Sequence, residues 1–178
     1  LRGSSLTGLP RPAQAILTAL DAAQPVGTFA VSMDPQNILP ALGSLAQDHP
    51  LTAVQVLEQG VLQDLGWVAV VSGRGSMGDE VMEVTVETAE MGESQQTILW
   101  GSLNILPLPV GVEATVTLKP ARNYDVGFGI GQSQTLTVQG GEVGLVIDAR
   151  GRPLPMYTET EIEKQRTMVL QWIWDMGG

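Results

Sequence analysis

Cysteine is absent from the 178 residues, so neither a disulfide framework nor a thiolate metal site can be built. Basic residues are scarce, 9 against 19 aspartates and glutamates, giving a formal charge of -10. Phosphate backbones and anionic membrane surfaces are held by clustered lysine and arginine, so this balance argues against nucleic acid and membrane partners. Histidine occurs once, at His49 before Pro50. With no second histidine or cysteine to share a metal, it is expected in a solvated helix-helix corner. No apolar stretch approaches 18 residues without a polar interruption, and no basic segment followed by an apolar run opens the chain. These absences lead to the expectation of a soluble, cytoplasmic protein. There is no internal repeat. The start at Leu1, in a turn rich in glycine and serine, is what a piece of a longer protein would show.

What is present suffices for a core, since 43% of the residues are apolar. Pro10 and Pro12 can start a helix on which Ala13, Ile16, Leu17 and Leu20 recur at helical spacing, ending near Gln24-Pro25. A strand is expected over 27–33, then a helix from Pro35 to about Gln47 with Asp34 as its cap, then a helix from Pro50 through Leu57 closed by Gly60. No lysine or arginine occurs from 12 to 73, as expected of a segment covered by other protein.

From Trp67 to about Arg150 the pattern turns to alternation, clearest at Val110, Val112, Ala114, Val116 and Leu118. Gly140-Gly141, between Leu136-Thr137-Val138 and Val143 to Ile147, has the composition of a tight hairpin turn. Pro107 and Pro109 confine their segment to an edge or bend. The expected fold is α+β: a helical α/β segment over 1–65, then a small antiparallel barrel or sandwich with a terminal helix over 66–178. On that helix Thr158 or Thr160 can cap, with Glu161 or Glu163 completing a capping box and Glu159 adding to the acidic first turn. Ile162, Val169, Ile173 and Met176 would form its apolar face, widened by Leu170 and Trp172. Trp174 lies roughly 200° from Trp172 on a helix, so it either fills a second surface of the core or stands out as a contact residue.

One stretch matches a cofactor motif. Gly73-Arg74-Gly75-Ser76-Met77-Gly78 has dinucleotide-binding spacing, but a strand pattern follows it from Asp79 to Glu87 where a phosphate site needs a helix N-terminus. A hairpin turn is expected instead. The acidic run Asp79, Glu80, Glu83, Glu87, Glu90 and Glu93 is expected as a solvated face rather than a cation site. Ser76 and Ser102 lack a nucleophile elbow and a nearby histidine, so no catalysis is expected of this segment. In the run 123–131, Gly127, Gly129 and Gly131 alternate, which would bend a strand or let backbone approach a ligand. Arg122 precedes that run and Asp125 lies within it. Lys119, Arg122, Arg150 and Arg152 could gather at one rim as a basic docking patch.

Leu118-Lys119-Pro120-Ala121-Arg122-Asn123-Tyr124-Asp125-Val126-Gly127, the run from Gly141 to Leu154 and the ending Trp172-Ile173-Trp174-Asp175-Met176-Gly177-Gly178 carry a family resemblance, extended loosely by Leu20-Asp21-Ala22-Ala23-Gln24-Pro25-Val26-Gly27. They resemble the MutL or GlmL type of accessory protein encoded beside adenosylcobalamin-dependent glutamate mutase, unrelated to mismatch repair. Such proteins are similar to the hydantoinase/oxoprolinase branch of the actin, sugar kinase and Hsp70-like ATPases. The resemblance implies that residues 1–65 end an actin-like ATPase lobe and that a β domain is appended. In that superfamily a glycine pair approaches the adenosine; Gly3-Ser4 stands at the corresponding place, with serine for the second glycine. The phosphate loops and magnesium ligands would lie upstream, so no cofactor is expected in this segment, while ATP and magnesium belong to the parent protein.

The resemblance thus implies a non-catalytic portion acting by protein contact on a cobalamin-dependent mutase, its own ATPase half or another protein, with an oligomer possible; Trp174 and the basic rim are the contact candidates that the residues themselves offer. The alternatives are a stand-alone ligand-binding β module using the 123–131 rim, and a hydantoinase-like hydrolase segment.

Overall fold

The computed structural model describes residues 1–154 and 161–177. The cap candidates Thr158 and Thr160, with Glu159, lie outside them. After a short turn of helix α1 (Ser4–Thr7), proline opens α2 (Pro12–Ala23), which ends where Gln24 takes a left-handed conformation. Strand β1 (Gly27–Met33) follows. Asp34 is indeed a cap, but a distant one: its carboxylate accepts the amides of Ile38 and Leu39, and α3 (Leu39–Asp48) begins later than Pro35. The corner at His49 leads into α4 (Pro50–Leu57).

Strand β2 (Gln63–Val70) and the later β10 (Gly144–Asp148) are parallel neighbours, covered on both faces from Leu65 to Val70 and along β10, which is why those stretches are apolar up to Asp148. They form the middle of a sheet ordered β1-β2-β10-β6, where β6 (Leu103–Leu106) is the edge strand that stops before Pro107. The chain between β2 and β10 builds a second sheet from β4 (Glu80–Thr88), β5 (Gly92–Leu99), β7 (Glu113–Pro120) and β9 (Gln134–Gln139), all antiparallel in the order β5-β4-β7-β9. A two-residue ladder of β3 (Ser72–Gly73) with β8 (Tyr124–Asp125) joins their ends.

The first sheet is therefore the central layer. On one side Ala69, Leu145 and Ile147 meet Val84, Val116 and Leu118 of the second sheet. On the other, Leu65, Val68, Val70 and Val146 pack with Ile16 and Leu20 of α2 and Trp172 and Met176 of the last helix, α5 (Ile162–Asp175). The expected division near residue 65 falls inside β2, whose strand pairs with β1 on one edge and β10 on the other. The fold is α+β, a stack of helices and two sheets, with no closed barrel among the described residues.

Two expected hairpins are corrected. The 73–78 turn does join strand to strand, but it carries the chain from the first sheet to the second, since β2 pairs with β1 and β10 and β4 with β5 and β7. Gly140-Gly141 likewise carries the chain back, from β9 to β10, which lie in different sheets. Its glycines serve close approach: a Cβ on Gly141 would sit 2.4 Å from the Gly66 nitrogen, and one on Gly140 would sit 2.0 Å from the Pro109 oxygen. Among the described residues no helix is long and apolar enough to cross a membrane.

Candidate functional site

Strand β10 ends on Asp148, whose side chain has no exposure. A buried carboxylate is costly unless it is paired and hydrogen-bonded, and here the pairing comes from the next turn of chain. The Arg150 guanidinium folds back on it, with Nε 3.0 Å from Oδ1 and Nη2 2.8 Å from Oδ2. Arg152 Nη2 donates to the same Oδ2 at 2.6 Å, and its Nε donates to the Pro25 carbonyl at 3.1 Å. Arg150 Nη2 also lies 2.8 Å from Asp21 Oδ1 on α2. Burial pushes the Asp148 carboxyl upward, yet the hydrogen bonds and charges of Arg150 and Arg152 outweigh this and hold it below its ordinary value. For Arg150, burial favours loss of the proton, and Asp148 with Asp21 more than reverses it.

The Trp172 ring covers this pair from α5, its centroid 4.9 Å from Arg150 Cζ, and its Nε1 donates to the Gly101 carbonyl at 3.2 Å. Arg150 thus ties α2, β10 and α5 together. Arg150 Nη1 alone among the described buried side-chain nitrogens and oxygens has no hydrogen-bond partner. Beside the cluster lies a cavity of about 350 Å³, lined by the 73–75 turn, Trp100, Arg150, Arg152 and Trp172 among others.

The basic residues do not gather on one rim. Arg150 and Arg152 turn inward to Asp148, Lys119 lies 3.4 Å from Glu83 on the face of the second sheet away from the core, and Arg122 is exposed in the loop after β7. The difference arises because Asp148, at the inner end of an apolar strand, draws the two arginines nearest to it in sequence. Glu83 and Glu87 share the second sheet's outer face, and among the described residues no three histidine or acidic side chains converge as a metal site.

In the 123–131 loop, Asp125 Oδ1 accepts the amides of Gly127, Phe128 and Gly129 at 2.7, 3.1 and 3.0 Å. Gly127, at φ +100°, packs on the backbone of Gly27, where an added Cβ would fall 2.8 Å from its Cα. The alternate glycines thereby account for a tight self-contained turn docked on the start of β1. Gly3, at φ +98°, opens α1 with its carbonyl accepting the Leu6 and Thr7 amides, and an added Cβ there would meet nothing within 4 Å. Ser4 is the first residue of α1.

On α5 the buried side is Trp172 and Met176 with Met168 partly covered, a spacing of four. Ile162, Val169, Leu170 and Ile173, expected inward, are exposed, and Trp174 is 72% exposed. The helix is apolar around much of its circumference, so periodicity alone does not select the face; Trp172 is selected by Arg150 and the Gly101 carbonyl. Asp21, Asp148, Arg74 and Trp100 were not among the residues singled out. The one local signal was Val146-Ile147-Asp148-Ala149-Arg150, an acid and a base two apart at the end of a wholly apolar strand. Compared with known proteins, the chain matches no family model, no curated protein and no solved structure.

Proposed function

We propose that this chain is a non-catalytic contact module, the C-terminal portion of a MutL-type accessory protein of the cytoplasm, and that it docks on an adenosylcobalamin-dependent mutase. The observation that supports docking is the outer surface of α5, where Trp174, Leu170 and Ile162 are each more than half exposed. An apolar groove of about 630 Å³ adjoins it, running from Val169 and Ile173 across to Leu9 and Leu17. Exposed apolar patches of this kind mark interaction surfaces, and a large aromatic on a rigid helix is the usual anchor of binding energy. With a formal charge of -10 on the chain, the complementary surface is an apolar ridge flanked by lysine and arginine.

A second apolar row supports contact too: Leu51, Val54 and Leu57 stand exposed at helical spacing along α4, and α3 has no buried residue. We assign this row to the ATPase half of the parent protein and the α5 surface to the client.

Titration of the chain with an adenosylcobalamin-dependent glutamate mutase tests this. Association is expected, and Trp174→Ala should weaken it by about 2 kcal/mol or more while leaving the melting temperature of the chain unchanged. Absence of association, or association that Trp174→Ala leaves intact, contradicts the proposal.

A further inference from the structure

The cavity between the 73–78 turn and Trp172 takes no part in docking through the outer side of α5. We infer that it binds a small organic anion: a carboxylate or phosphate carried on a flat apolar body. Arg74, Arg150 and Arg152 all line it, in a chain with only 9 lysines and arginines. The carboxylates nearby are already engaged, Asp148 and Asp21 by Arg150 and Asp79 by the Ser76 amide at 2.7 Å.

Arg74 is exposed, and among the described residues its guanidinium has no ion-pair partner. Arg150 keeps Nη1 buried without an acceptor. That donor is sealed from the cavity, because the Arg150 side chain has no exposure, so the cation that an entering anion meets is Arg74. Arg150 and Arg152 are balanced by Asp148 and Asp21, so Arg74 is the cation left to an anion here, although the chain as a whole repels anions.

The walls define the rest of the ligand. Trp100 and Trp172 supply aromatic surface, and the backbone closes tightly on the first of them, since a Cβ on Gly151 would lie 2.8 Å from the Trp100 ring. An open cation, Arg74, beside aromatic walls, in a space of about 350 Å³, suits a small acid with a planar body, because ligand sites are mostly apolar with a few placed polar groups. Trp100 is held in place by its contact with Tyr124, 5.4 Å between ring centroids.

The chain carries four tryptophans, Trp67, Trp100, Trp172 and Trp174, and their indole N–H resonances give two reporters at the cavity and two elsewhere. The intact chain is titrated separately with phenylpropionate, phenyl phosphate and the neutral phenylpropionamide. We expect saturable shifts of Trp100 and Trp172, with Trp67 and Trp174 unmoved, for at least one of the two anions. The amide should bind about tenfold more weakly or worse, equal to about 1.4 kcal/mol. A response to phenyl phosphate alone makes the natural group a phosphate, and a response to phenylpropionate alone makes it a carboxylate. Arg74→Gln, at an exposed position, should weaken the anion about tenfold as well. The inference is overturned if neither anion moves Trp100 and Trp172, if the amide equals the anions, or if Arg74→Gln leaves the affinity unchanged.

Discussion

Asp148 and Arg150, separated by one residue, face each other with both side chains fully buried and joined by two hydrogen bonds of 3.0 and 2.8 Å. The pair sits where β10 meets α2 and α5, so its integrity and the attachment of both helices are one property. Asp148→Ala would leave two guanidinium groups without their shared acceptor and should cost about 3 to 5 kcal/mol. Removing both members by Asp148→Leu with Arg150→Met should cost less than the single change, because Arg152 alone, rather than two guanidinium groups, then loses its buried acceptor. Denaturant melts of the two variants check this ordering.

The acid limb of stability follows from the same carboxylate. Asp148 and Asp34 are both held below their ordinary value of 3.8. A group whose folded pKa is depressed stabilises above the unfolded value and loses that contribution as pH falls through the folded one. Stability should therefore be level from about pH 5 to 8 and decline below about pH 4. Asp148→Asn should make the decline shallower without abolishing it, since Asp34 still titrates; melting temperatures across the acid range test this.

The two tryptophans of α5 should separate cleanly. Trp172 is buried under Arg150, so Trp172→Ala should cost about 3 to 5 kcal/mol. Trp174 is 72% exposed, and its replacement by alanine should change stability by no more than about 0.5 kcal/mol. Equal, large losses in urea melts would mean that Trp174 is covered within the chain.

Two glycines should respond with opposite signs. A Cβ on Gly141 would meet the Gly66 nitrogen at 2.4 Å, so Gly141→Ala should destabilise by about 1 to 3 kcal/mol or more. Gly43 lies within α3 with nothing in reach of an added Cβ. Gly43→Ala should stabilise by about 0.5 to 1 kcal/mol. Thermal melts of the two variants give both signs.

Local punctuation carried much of the fold in readable form. Pro12 and Gln24 mark α2, Pro50 and Gly60 mark α4, and the alternation through Ala114, Val116 and Leu118 marks the inner face of β7. Glycine turns were legible as turns but not as changes of sheet, because Gly73 to Gly78 and Gly140-Gly141 have the same local chemistry whether the next strand returns beside the last or crosses to another layer. The pairing of β2 with β10 joins residues such as Val68 and Val146, and no local pattern encodes so distant a register. The arginine cluster was half legible: Arg150 and Arg152 stood out as scarce cations, yet their inward turn depends on the burial of Asp148 and, for Arg150, on Asp21 from α2, which only the folded packing brings near.

The most direct test of docking through α5 is hydrogen exchange of the chain with and without a saturating adenosylcobalamin-dependent glutamate mutase. Added protection is expected in the α5 amides around Val169 to Asp175 and in the facing part of α2, with α3 and α4 unchanged. Protection confined to α3 and α4, or none anywhere under saturation, would contradict the assignment of the α5 surface to the client.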